Sequence, residues 1–240
     1  MHLAVVSLHA SDTGLGKADK SLFSQQTLME MLIAGFSSTQ TLNVDLENPA
    51  DISEWEGVSL DAISKNVQSI DWSNRQLEGS MLLMWLPPAI RVFNAKGNAL
   101  GGSLSLVGLP NTLEDVSLLT NKLDGSLILT DLPESTQKLA LSGNKFSGLV
   151  DLTRLPAGMA YLTLYHNFLE GPIDLTALPP HLEALYLHGN LFRGSVNLNN
   201  LPQSIETLNL SNNGELSGFI DRKLYPRARI LTDQTGIKSV

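Results

Sequence analysis

The chain has 240 residues, a formal net charge of −8 and no cysteine. The missing thiols exclude disulfides, thiolate catalysis and thiolate metal sites, and an acidic chain without a Lys/Arg cluster is a poor binder of nucleic acid or anionic membrane. Nothing approaches the roughly 18 consecutive apolar residues of a membrane span, so no membrane insertion is expected; the lack of cysteine favours a reducing compartment and hence a cytoplasmic location.

From the N-terminus, residues 1–12 (MHLAVVSLHASD) carry a short apolar run with no Lys or Arg before it. That is a weak match to a secretory signal, and a short strand is the plainer expectation. Ser21 to Phe36 reads as a helix: Leu28, Met31, Leu32 and Phe36 share a face, and Gly35 supplies a C-terminal stop. The stripe is expected to cover the open end of a repeat array, which needs a cap for solubility. Residues 37–65 connect, turning at Asn48-Pro49. Residues 1–65 are thus expected to form an N-terminal cap with one amphipathic helix.

From Val67 onward the chain repeats. Leu-Pro pairs start at 86, 109, 132, 155, 178 and 201, always 23 apart; Asn falls at 98, 121, 144, 167 and 190, and Gly at 79, 102, 125, 148, 171 and 194. Inside the unit stands L-x-x-L-x-L-x-x-N, as in Leu182 to Asn190. A period in the twenties around this pattern is the leucine-rich-repeat signature. Leu185 and Leu187 alternate along a short strand and point the same way, inward, onto Leu162 and Leu164 on one side and Leu208 and Leu210 on the other. Asn190 ends the strand, where a buried amide can bond the backbone of its own turn and of the next coil. The Gly permits a tight bend, and the Pro sits on the outer side where its missing N–H is not needed.

Seven such coils are expected over residues 66–221. The first is atypical, with Arg75 in the Asn slot and Trp72 pointing inward; the second has Ala95 in place of a leucine; the seventh has one extra residue before Gly218. Stretches after the Gly, such as SLIL (126–129) and PIDL (172–175), have apolar second and fourth residues and read as small return strands on the outer face. Residues 222–240 read as a C-terminal cap. The fold class is α/β: a right-handed leucine-rich-repeat solenoid, or horseshoe, with a parallel sheet on its concave face and little helix outside the N-terminal cap.

The unit GxIDLxxLPxxLxxLxLxxN, as in Gly171 to Asn190, resembles the leucine-rich-repeat proteins of kinetoplastid protozoa. Trp55-x-Gly57-Val58 followed by Val67-x-x-Ile70 is similar to the N-terminal cap of plant-type leucine-rich-repeat proteins, although Ser59 stands where those caps commonly carry a Cys. The resemblance covers roughly residues 20–235 and implies a non-enzymatic recognition scaffold.

No catalytic set emerges. His166 and His188 fall on strand faces in adjacent coils, but a metal site lacks a third ligand, and Asp151 and Asp174 read as turn-bonding residues rather than an acid pair. No cofactor or metal is expected. The concave face is more informative. Most residues flanking the inward leucines are small or polar; Leu119, Tyr161, Tyr165, Tyr186 and His188 break that pattern, with His166 beside them. They are expected to frame a shallow depression with an aromatic wall at Tyr161 and Tyr165 and an apolar wall at Leu119. Tyrosine offers contact area at small entropic loss, so the patch reads as a site for a protein partner; aromatic cross-strand packing is the competing reading. The expected function is a protein–protein interaction scaffold, with a surface or secreted ectodomain binding a peptide or glycan as the alternative.

Overall fold

In a computed structural model the described residues are 19–240. The expectations for the first twelve residues, strand or targeting signal, lie outside them.

Among the described residues a nine-stranded sheet runs the length of the solenoid: Val58–Leu60, Val67–Asp71, Val92–Asn94, Asp115–Ser117, Lys138–Ala140, Tyr161–Thr163, Ala184–Tyr186, Thr207–Asn209 and Arg229–Leu231, side by side in chain order. The first pair is antiparallel and the others are parallel. The register follows the repeat, with Tyr161 facing Lys138 on one side and Ala184 on the other. Alternation works as the sequence implies: Leu162, Leu164, Leu185, Leu187, Leu208 and Leu210 are fully buried. One coil cannot bury these side chains alone, so they gain their burial from the coils above and below.

An eight-stranded parallel sheet lines the other wall, from Glu78–Gly79 to Gly236–Ser239. The return strands were expected after each Gly. In three coils the structure places them before it, where Lys122–Gly125, Lys145–Gly148 and Phe168–Gly171 each end at the glycine, whereas Leu191–Asn197 and Glu215–Ile220 run on past it as expected. The apolar residues that follow are buried as expected, Leu127 and Leu129 among them, but they turn inward through short 3-10 segments such as Leu129–Asp131. No α-helix follows Ile33 among the described residues.

The asparagine row stitches the coils. Asn144, buried in the stack, accepts the Leu123 N–H at 3.1 Å and donates to the carbonyls of Leu118 at 2.9 Å and Leu141 at 3.0 Å. Leu141 belongs to its own turn; Leu118 and Leu123 belong to the coil before. The expected bond to the next coil therefore runs backwards, to the preceding one. Asn121, Asn167 and Asn190 repeat the arrangement. Asn213, one repeat beyond the recognised row, extends it to the seventh coil. In the first coil Arg75 donates from its guanidinium to Thr41 O at 3.0 Å, so a longer side chain reaches the cap.

The N-terminal end of the described array is built on aromatic packing. The helix spans Gln25–Ile33, shorter than expected, because Ser24 caps it by accepting the Thr27 N–H. Its buried face is Leu28, Met29, Leu32 and Ile33; Met31 is only partly buried, and Phe36 lies beyond the helix, bridged to Gly79. Phe36, Trp72 and Phe93 stack edge to face at centroid distances of 6.0 Å, and Trp72 donates its indole N–H to Glu56 O at 3.0 Å.

Replacing Asn144 by Leu strands one buried N–H and two buried carbonyls. The expected loss is roughly 2–4 kcal/mol, read from a denaturant melt; a loss below ~0.5 kcal/mol would show that other groups satisfy that turn.

Candidate functional site

The concave face presents three residues per coil in rows 23 apart. One row runs Leu119, Ser142, Tyr165, His188; the next runs Ser117, Ala140, Thr163, Tyr186. Small residues at 140, 142 and 163 sit between larger ones, and the surface dips. The depression has a volume of about 510 Å³ and is lined by Leu119, Ala140, Thr163, Tyr165, Tyr186 and His188.

Four of the six residues singled out in the sequence, Leu119, Tyr165, Tyr186 and His188, thus line one depression. Two do not. Tyr161 stands outside it, with its hydroxyl directed to Glu183 and Lys138 Nζ 5.8 Å from its ring centre. Hydrogen bonding to the Glu183 carboxylate, then its charge, raises the Tyr161 pKa. The aromatic wall is therefore Tyr165 with Tyr186, ring centres 6.5 Å apart, rather than Tyr161 with Tyr165. His166 lies at the rim and packs edge-on to Tyr165 at 5.4 Å and to His188 at 5.3 Å.

The depression holds unused hydrogen-bonding capacity. Ser142 Oγ, Thr163 Oγ1 and His188 Nδ1 are buried and have no hydrogen-bond partner among the described residues. His188 stacks on Tyr165 with ring centres 4.5 Å apart and planes within 11°. Burial, and secondarily the charge on His166, lower its pKa, so the ring is held neutral. Thr163 is the residue that reading the sequence for aromatics passed over; its place in the row between Ala140 and Tyr186 was the available signal.

The rim repeats one unusual backbone position, which Asn74, Thr120, His166 and Asn212 fill with a side chain. The residue just before each Asn has a left-handed backbone in every coil: Asn74, Gly97, Thr120, Gly143, His166, Gly189 and Asn212 have φ between 52° and 69°. Glycine suits this slot, and His166 occupies it at φ 52°. The neighbouring slot must in turn be small, because a Cβ on Gly189 would meet His166 Nδ1 at 2.5 Å.

Two other sequence candidates hold turns. Asp151 accepts from the backbone and hydroxyl of Thr153, and Asp174 does the same with Thr176, which lowers both carboxyl pKa values. No group of three His, Cys, Asp or Glu residues placed to hold a metal ion occurs among the described residues.

No family model matches the sequence, and no curated protein does. Among solved structures, the chain is similar to the Arabidopsis receptor kinase HAESA, solved in complex with the peptide hormone IDA and the co-receptor SERK1, at 26% identity and a TM-score of 0.68 over 89% of this chain and 42% of that one. The fold is that of leucine-rich-repeat ectodomains. Pollen Receptor Kinase 3 is similar at 18% identity and a TM-score of 0.60, over 89% of this chain and 95% of that one. The BIR2 ectodomain from Arabidopsis thaliana is similar at 17% and 0.58, over 75% and 98%. Identities this low speak to the fold alone for these two. The chain spans about four-tenths of the HAESA chain.

HAESA is a receptor kinase solved with a peptide hormone and a co-receptor, which contradicts the cytoplasmic location expected from the missing cysteines. The cap explains why the thiol argument fails. Phe36, Trp72 and Phe93 close the first coil by packing, so the end of the array is sealed without a disulfide. No helix among the described residues is long and apolar enough to cross a membrane.

Two measurements follow from His188 and His166. With the His188 pKa lower folded than unfolded, stability is full above about pH 6.5, the unfolded value, and is lost as pH falls through it towards the folded value. His188→Phe should flatten the stability profile between about pH 7.5 and 5.5; equal slopes in variant and wild type would show that the ring is freely protonated in the fold. His166→Gly should raise stability by about 0.5–1 kcal/mol in a denaturant melt, by relieving the left-handed backbone; a clear loss would mean that the ring's contacts outweigh the strain.

Proposed function

We propose that this chain is a non-enzymatic recognition module of a surface or secreted protein, which captures an extended peptide segment of a partner in the depression on its concave face. The observation that carries the reading is the coincidence of two buried, unpartnered polar atoms, Thr163 Oγ1 and His188 Nδ1, with an aromatic wall in one depression. Buried polar groups are almost always satisfied, so Thr163 and His188 are suited to a ligand that offers donors and acceptors. Tyr165 and Tyr186 supply rigid contact area and hydroxyls for orientation. A peptide backbone has this mixture of polar and apolar groups. Support comes from HAESA, which was solved holding a peptide hormone.

Two finer readings rest on sequence. The repeat unit is of the kinetoplastid type, and residues 1–65 act as a plant-type-like cap before seven repeats over 66–221 and a C-terminal cap over 222–240. Supporting the cap, Gly57 has φ 81° and lies against the Asp71 carbonyl so closely that a side chain there would clash. Trp55 is buried and donates to Ala50 O at 2.9 Å.

The test is the double variant Tyr165→Ala, Tyr186→Ala, panned beside wild type against a displayed library of random dodecapeptides. Peptides enriched on wild type should be lost by the variant, while stability shifts by only about 1–2 kcal/mol. Undiminished capture by the folded variant would show that these aromatics serve only as cross-strand packing.

A further inference from the structure

Resting on the concave-face reading above, we propose that the captured segment crosses the solenoid along its strands, rather than running down its axis, and that it carries a basic residue and a large apolar residue about five positions apart. Three zones of distinct chemistry lie in line across the same coils.

The first zone is acidic. Glu183 and Glu206 occupy equivalent positions at the start of neighbouring strands, and neither has an ion-pair partner among the described residues. In the second to fourth coils the charges at the start of the strands are matched: Arg91 pairs with Glu114 at 2.6 Å and Lys138 with Asp115 at 3.4 Å. These two carboxylates of the sixth and seventh coils, Glu183 met only by the neutral Tyr161 hydroxyl, therefore mark where a cation on a partner is complementary. The chain's net charge of −8 also draws such a partner in.

The second zone is the depression with its unpartnered hydroxyl and imidazole, and it contains no charged side chain. The third lies over the rim. Phe168 and Leu191 follow the Asn slot in adjacent coils, and they are 55% and 59% exposed. In the same slot of earlier coils stand Ala99, Lys122 and Lys145, so the apolar pair is local. His166, at the strained rim position, joins the zones by its contacts with Tyr165 and His188.

Acid, the aromatic wall of the depression and the apolar rim follow one another along the strand direction of the fifth to seventh coils, while the floor of the depression reaches back to Ala140 and Leu119. Along the solenoid axis the neighbouring surface is different: Asn94, Ser117 and Asn209 continue the Thr163 row as small polar residues. From residue 183 to residue 188 the chain advances about 17 Å at ~3.3 Å per residue, which an extended peptide matches with about five residues. A peptide lying this way meets a cation-seeking end, a mixed centre and an apolar end in order.

The dodecapeptide library gives the test. Enriched peptides should combine Lys or Arg with a large apolar residue about five positions away. A synthetic enriched peptide, measured by fluorescence anisotropy, should bind roughly tenfold or more weakly to Glu183→Gln, Glu206→Gln and to Phe168→Ser, Leu191→Ser, with the acidic pair's effect shrinking at high salt. Val92→Ser, Lys96→Ala, placed along the axis on the second coil, should leave affinity unchanged. If Tyr165→Ala, Tyr186→Ala abolishes binding while neither the acidic nor the rim pair matters, the crossing path is wrong and the concave site stands. Loss with the axial pair would overturn the path too. Enrichment that survives loss of both tyrosines overturns the site and the path together.

Discussion

Each coil of this protein depends on hydrogen bonds made to its neighbour by a single buried amide. An Asn at the end of every strand from the second to the seventh coil answers backbone groups in its own turn and in the coil before. Without it the turns would bury unpaired N–H and C=O groups, which cost about 1–3 kcal/mol each. The leucine rows supply the burial, but the burial is non-directional. The Asn row holds each coil one period behind the next and keeps the strands in register. That register places every concave residue in a row with its counterparts 23 positions away.

The depression is a consequence of those rows. The small side chains of Ala140 and Thr163 make the floor only because they land beside one another on adjacent strands. Tyr165, Tyr186 and His188 make a wall for the same reason. The left-handed slot before each Asn is a second consequence of the turn. Filling it with His166 works against the backbone, as Thr120 does two coils earlier. The compensation is a set of ring contacts to Tyr165 and His188.

Much of this was legible in the sequence because the repeat is strict. Strand positions, inward leucines and the Asn slot all follow from periodicity, and a 23-residue offset identifies neighbours without coordinates. The return strands were misplaced because burial and strand pairing are separate properties: Leu127 and Leu129 are buried after the Gly, whereas pairing ends at it. The direction of the Asn bond was out of reach, since a period is symmetric and does not distinguish the coil before from the coil after. Tyr161 was grouped with Tyr165 by alternation alone, yet alternation is silent on where a long side chain swings, and Glu183 draws this one away. The compartment was misread because cysteine count reports on one means of sealing an end, and this chain uses aromatic packing.

Native-state hydrogen exchange tests the central claim most directly. The amides of Leu100, Leu123, Phe146, Leu169 and Phe192 each donate to an Asn carbonyl of the following coil. If that ladder holds the stack, these five should be among the most protected amides and should open together, with the free energy of global unfolding. Fast exchange at these positions, at rates typical of exposed turns while the strand amides stay protected, would contradict the account.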